Sequence, residues 1–197
     1  MPKPPAAFNA ALEPITTPLP AAVAASIGRT IARHSYLEWV LGQVLYSLLE
    51  ISIKQGRAVV QRPQPRQYVS AVQGLYAFHR LDTRFNFADL ARRLEVADRA
   101  RDLLAHSVYM RDVSLRAGKT FLVRGSWNLG LDDDTVSRGL WPETPVLDRE
   151  LLARMRDDVE AAVTRAEQLK RTTDKLLREL HEARRTNPRL NRRRGDR

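Results

Sequence analysis

Through most of the chain apolar residues recur every three or four positions, which is the period of an amphipathic helix. The first stripe is Ile27, Ile31, Leu37, Val40, Leu41, Val44, Leu45, Leu48 and Ile51. It predicts one long helix over 22–54, stopped at Gly56. Pro63 and Pro65 then forbid helix locally, because proline lacks the N–H and its ring clashes with the preceding turn. Tyr68, Val69, Val72, Leu75, Tyr76 and Phe78 predict a second helix over 66–81. Asn86 opens a third, with Asp89 in its first turn to complement the helix dipole. Phe87, Leu90, Leu94, Ala97, Leu103 and Leu104 give that helix an apolar face as far as about His106.

After His106 the pattern changes. Ser107 to Val113 and Lys119 to Arg124 are rich in β-formers, and Ala117-Gly118 lies between them. This arrangement predicts a hairpin over about 107–124. Residues 125–142 read as a loop containing Trp127, Trp141 and Asp132-Asp133-Asp134. Asp148 then caps a final helix over about 148–184. Its stripe of Leu152, Met155, Val159, Ala162, Ala166, Leu169, Thr173, Leu176 and Leu180 is narrow and nearly heptad. At 1.5 Å per residue such a helix spans roughly 54 Å, more than one small core covers. The spacing therefore predicts that its far half packs on another chain or projects as a coiled coil. The alternative is an exposed helix held by charge pairs.

Composition narrows the classes. The 197 residues suffice for one domain with appendages, and 43% of them are hydrophobic. With no cysteine, disulfide-stapled scaffolds and thiolate zinc sites are excluded. The four histidines, His34, His79, His106 and His181, show no metal-ligand spacing. No cofactor is implied. No apolar run approaches a membrane span of roughly 20 residues, so a cytoplasmic protein with no membrane partner is expected. Six of the eleven prolines fall in residues 1–20, which read as an extended, flexible arm before a domain over 21–183. The net charge is +10. Seven arginines against one acid in residues 183–197 carry more than half of it, among them Arg184, Arg185, Arg189, Arg192, Arg193 and Arg194. Residues 185–197 thus form a basic tail. Such a tail seeks phosphates through counterion release, or simply solubilises the chain.

One segment carries a recognisable chemistry. In Arg101-Asp102-Leu103-Leu104-Ala105-His106, Asp102 and His106 are four apart and share a helical face with Asp98. The carboxylate is placed to fix the imidazole tautomer. Arg101 and His106 are five apart, leaving about 140° between them around an ideal helix. They converge on one phosphate only if the long arginine bends, if the helix end frays, or if two copies face each other. Arg followed by a polar residue, three more residues and His resembles the signature of the HEPN superfamily (higher-eukaryote and prokaryote nucleotide-binding proteins). The long helix at 22–54 resembles that superfamily's opening helix, and the resemblance covers roughly residues 22–183. It implies a mainly α fold, a HEPN-like helical bundle with a small β-hairpin insertion and a long C-terminal helix. It further implies a metal-independent endoribonuclease, of toxin or phage-defence type, working as a homodimer on RNA. His106 would be general acid or base and Arg101 the phosphate ligand, with Asp102 beside it. An antitoxin or a nucleotidyltransferase is the partner such proteins often have. The competing expectation is a non-catalytic RNA- or nucleotide-binding module, or an oligomeric scaffold built on the final helix.

Other residues are open to two readings. His34 and Glu38, four apart on the opening helix, form either a supporting polar cluster facing Arg101 or a solvated pair. Tyr109, Phe121, Trp127 and Trp141 either stack on unpaired bases or, the more economical reading, pack the hairpin onto the bundle. His79 reads as a satisfied histidine and His181 as an exposed one. No glycine-rich loop precedes a Lys-Ser or Lys-Thr, so a phosphate-cradling loop is excluded.

Overall fold

The apolar period that runs past Ile51 carries a helix only as far as Leu48. In the computed structural model of the chain, the described residues are 12–15, 18–59, 65–81, 85–112, 120–124 and 147–186. They form β1 (Leu12–Pro14), α1 (Ala21–Leu48), α2 (Ile53–Val59), α3 (Pro65–His79), α4 (Phe87–His106), β2 (Ser107–Asp112), β3 (Thr120–Arg124) and α5 (Arg149–Thr186). The fold is mainly α.

The predicted helix over 22–54 is thus two helices. Glu50 adopts a left-handed backbone, φ 57°. The Glu50 N–H then bonds to the Ser47 carbonyl and the Ile51 N–H to the Tyr46 carbonyl, the paired bonds of a Schellman motif that closes a helix. Ser52 and Gln55 start the next one. The Gln55 side chain accepts from the Ser52 N–H at 2.9 Å and the Ser52 hydroxyl accepts from the Gln55 N–H at 3.3 Å, a complete capping box. Gly56, expected as a stop, lies inside α2. A Cβ there would clash with the Tyr46 ring, so the glycine permits α2 to lie against that ring. Pro65 also departs from expectation: it is the first residue of α3, the one helical position where a missing N–H costs nothing.

The remaining helix ends follow their sequence signals. The Asn86 side chain accepts from the Asp89 N–H at 2.9 Å, and the Asp148 carboxylate from the Leu151 N–H at 2.7 Å. Each such cap is worth about 1 kcal/mol.

The chain divides into two units, residues 1–32 with 97–158 and residues 33–96 with 159–197. In the first unit β2 pairs antiparallel with β1 on one side and β3 on the other, with Tyr109 opposite Leu122 and Glu13 opposite Arg111. Pro14 closes the edge strand β1, a position where proline is tolerated. Ile27, Ala97, Ala100, Leu104, Leu152 and Met155 are buried here, and so is Thr30, whose hydroxyl donates to the Ser26 carbonyl.

In the second unit the large fully buried side chains are Leu37, Val40, Leu41, Val44 and Leu48 of α1, Val72 of α3, Leu90 and Leu94 of α4, and Val159, Val163 and Leu169 of α5. Arg33, Tyr36 and the Glu50 that follows α1 bond in order to Glu160, Glu167 and Arg184 of α5, so the two helices run in the same direction. This corrects the expectation for the final helix. Leu169, Thr173 and Leu177 in its far half are buried within this one chain. Tyr76 of α3 donates to Thr173 Oγ1 at 2.6 Å, because the single Thr173 proton goes to the Leu169 carbonyl. Burial raises the Tyr76 phenol above its ordinary value, so it remains a donor.

The predicted hairpin turn at 113–119, the loop at 125–142 with Trp127 and Trp141, and the tail residues Arg189, Arg192, Arg193 and Arg194 lie outside the described residues.

Candidate active site

The last turn of α4 holds the residues singled out from the sequence. α4 runs unbroken to His106, and β2 begins at the next residue. Helix geometry alone separates Arg101 from His106, yet the arginine side chain spans the gap. Its Nη1 lies 3.3 Å from His106 Nε2 and 2.6 Å from Asp102 Oδ1. Of the three routes to convergence, the bending of the long arginine is the one taken within this chain. A guanidinium has only donors. In that contact His106 Nε2 can only be the acceptor.

The site is open. Arg101 and Asp102 side chains are about one-third exposed, 34% and 35%, and His106 is exposed. The Arg101–Asp102 contact is short and charge-assisted, and it draws one edge of the guanidinium to the carboxylate.

Two neighbours complete the helix end. The last carbonyls of a helix lack internal partners. The Tyr109 hydroxyl donates to the Leu104 carbonyl at 2.7 Å, satisfying one of them and tying β2 to α4. Burial raises the Tyr109 phenol, which keeps this donor protonated. This bond fits the second of the two readings of Tyr109, packing of β2 on the helix. The Ile15 N–H bonds to the Tyr109 carbonyl at 2.9 Å, so the same residue also anchors the chain after β1. Ser107 Oγ is buried without a hydrogen-bond partner. Sequence reasoning missed the bond from Tyr109 to Leu104, although a tyrosine three residues after a helix-ending histidine is a usable signal.

His34 and Glu38 belong to the second unit, whereas Arg101, Asp102 and His106 belong to the first. His34 is buried and its Nδ1 lies 3.8 Å from Glu38 Oε1. His79 is buried and donates from Nε2 to the Leu48 carbonyl at 2.7 Å, so it is satisfied, as its position suggested. His181 is half exposed, 3.7 Å from Glu50. Arg184 also pairs with Glu50, at 3.4 Å, so at least one of the tail's candidate phosphate ligands has a partner inside the fold. Among the described residues no three His, Asp or Glu side chains gather as metal ligands, and no helix is long and apolar enough to cross a membrane.

Set against known proteins, the chain matches no family model, no curated protein and no solved structure.

Proposed function

We propose that the chain is a metal-independent endoribonuclease of the HEPN type, with Arg101 and His106 as its catalytic pair and Asp102 as a positioning residue. The observation that carries this reading is the 3.3 Å approach of Arg101 Nη1 to His106 Nε2 at an exposed helix end. A base and a phosphate ligand so close together fit a single phosphodiester.

The chemistry follows from the two groups. An arriving phosphate takes the Arg101 fork, and the His106 lone pair is released. Nε2 removes the proton of the ribose 2′-hydroxyl, and that oxygen attacks the adjacent phosphorus. The bond to the 5′-oxygen breaks, giving a 2′,3′-cyclic phosphate and a 5′-hydroxyl. Arg101 stabilises the charge that builds on the phosphoryl oxygens. The leaving oxygen needs a proton, and the second His106 of a homodimer, protonated, is the group that supplies it. In this reading residues 107–124 are a β-hairpin added to a HEPN-like bundle, and the basic tail recruits RNA.

The test is cleavage of single-stranded RNA in the presence of EDTA. We expect 2′,3′-cyclic phosphate ends, and their loss in His106→Ala with unchanged thermal melting. Intact RNA across varied sequences, with the protein folded and dimeric, overturns the proposal.

A further inference from the structure

In the second unit Asp89, in the first turn of α4, is shared by three guanidiniums. Arg92 Nη2 lies 2.8 Å from its Oδ1, Arg93 Nε 3.0 Å from its Oδ2, and Arg165 Nε 3.2 Å from the same oxygen. By contrast, Arg33 takes both oxygens of Glu160 for itself, at 2.7 Å each. Around Asp89 one negative charge meets three positive ones. A carboxylate offers about four lone-pair sites, whereas each guanidinium brings about five N–H donors. Most of the donor capacity of the cluster is therefore unused by Asp89. The surrounding cations hold the Asp89 carboxyl below its ordinary range, chiefly through Arg92 and then Arg93.

The cluster is ordered as well as charged. Arg165 lies over Phe85, with its guanidinium carbon 4.5 Å from the ring centroid, and its Nη1 donates to Gln168. Its Nε is buried and faces Asp89. Arg92 and Arg93 present their outer edges to solvent, with side chains 74% and 39% exposed. Asp89 thus acts as a hub that holds three forks together at a surface. Gathering three like charges is unfavourable on its own, and the one carboxylate only partly offsets it. A second anion on the outer edges would complete the compensation. The anion whose geometry suits arginine forks is a phosphate. Its accessible place at the surface suits a phosphate within a strand rather than a small molecule enclosed in a pocket.

We propose that Arg92, Arg93 and Arg165, gathered by Asp89, bind the phosphodiester backbone of single-stranded nucleic acid. This site lies in the unit that does not contain Arg101 and His106, and it stands whether or not those residues cleave RNA. The experiment therefore uses a strand that cannot be cut by 2′-hydroxyl attack. A fluorescent 2′-O-methyl RNA of mixed sequence is titrated with the full-length chain over a series of salt concentrations. For Arg92→Ala/Arg93→Ala we expect affinity to fall about tenfold. The slope of log K against log salt should become shallower by about 1, at ~0.7 for each phosphate that is no longer neutralised. The exposed Arg92→Glu, which leaves Arg93 and Arg165 in place, should weaken binding with fold and melting unchanged. Arg156→Ala, which removes an arginine paired with Asp157 on α5, should bind as wild type. Wild-type affinity and slope in a folded Arg92→Glu protein overturn the proposal, and so does an equal loss in Arg156→Ala.

Discussion

At the end of α3, His79 turns inward and gives its Nε2 proton to the last carbonyl of α1, Leu48. At the end of α4, His106 stays at the surface, and its Nε2 accepts a hydrogen bond from Arg101. Both residues close helices of the same chain, and both could have ended as structural pegs. What separates them is the neighbour each finds. α1 ends beside His79 with an orphan carbonyl to satisfy. At the end of α4 the Leu104 carbonyl is taken by Tyr109. The imidazole of His106 meets the Arg101 guanidinium instead of a helix carbonyl, and the catalytic role proposed for it relies on that difference.

The largest expected effect tests that difference. For the general base proposed above, removal costs about 10²–10⁴ in rate. His106→Ala should therefore reduce RNA cleavage at least a hundredfold without moving the melting temperature. Arg101→Ala should do the same, and Arg101→Lys should not restore activity, because the fork that grips a phosphate is lost. His79→Phe should show the reverse pattern. It strands the buried Leu48 carbonyl, which costs about 1–3 kcal/mol, and leaves cleavage intact. A His79 variant that loses cleavage while keeping its stability would dissolve the contrast between the two histidines.

Tyr109→Phe comes next in size. It removes the donor to Leu104 and one link between β2 and α4. We expect a loss of about 1 kcal/mol in stability, the usual net value of such a bond. Cleavage should fall by about tenfold as the site loosens, since small displacements of reacting groups are costly. Unchanged cleavage would mean that other interactions hold the α4 end.

How much of this was legible in the sequence depends on the distance over which each signal acts. The caps at Asn86 and Asp148 and the periods of α3 and α4 are local, and they were readable. The break after Leu48 was local too, written as Ser52-x-x-Gln55, but the apolar period continues across it to Ile51 and conceals it. The coverage of α5 was not readable. It depends on Tyr76 meeting Thr173 across 97 residues, and no period within the helix reports that. At the site, spacing gave the residues but not their meeting: about 140° of helix separates Arg101 from His106, and only side-chain length and direction close it. Asp89 was legible as a dipole residue, whereas its role as a hub required Arg165, far along the chain on α5.

The smallest effect concerns how the compared helix ends are closed. α4 passes directly into a strand, whereas α3 ends on Arg80 in the left-handed region, φ 55°. There the Arg80 N–H bonds to the Ala77 carbonyl and the Leu81 N–H to the Tyr76 carbonyl. A side chain in that conformation costs about 1–2 kcal/mol, part of which glycine gives back as entropy in the unfolded chain. Arg80→Gly should thus stabilise the protein by about 0.5–1 kcal/mol in denaturant melts, with cleavage unchanged. Glu50 has the same backbone geometry at the end of α1, but its carboxylate also pairs with His181 and Arg184 of α5. Glu50→Gly relieves the same strain and discards both pairs, so its gain should be smaller than that of Arg80→Gly. Equal gains would show that those two pairs add nothing to the packing of α5, and that backbone strain alone sets the stability of both ends.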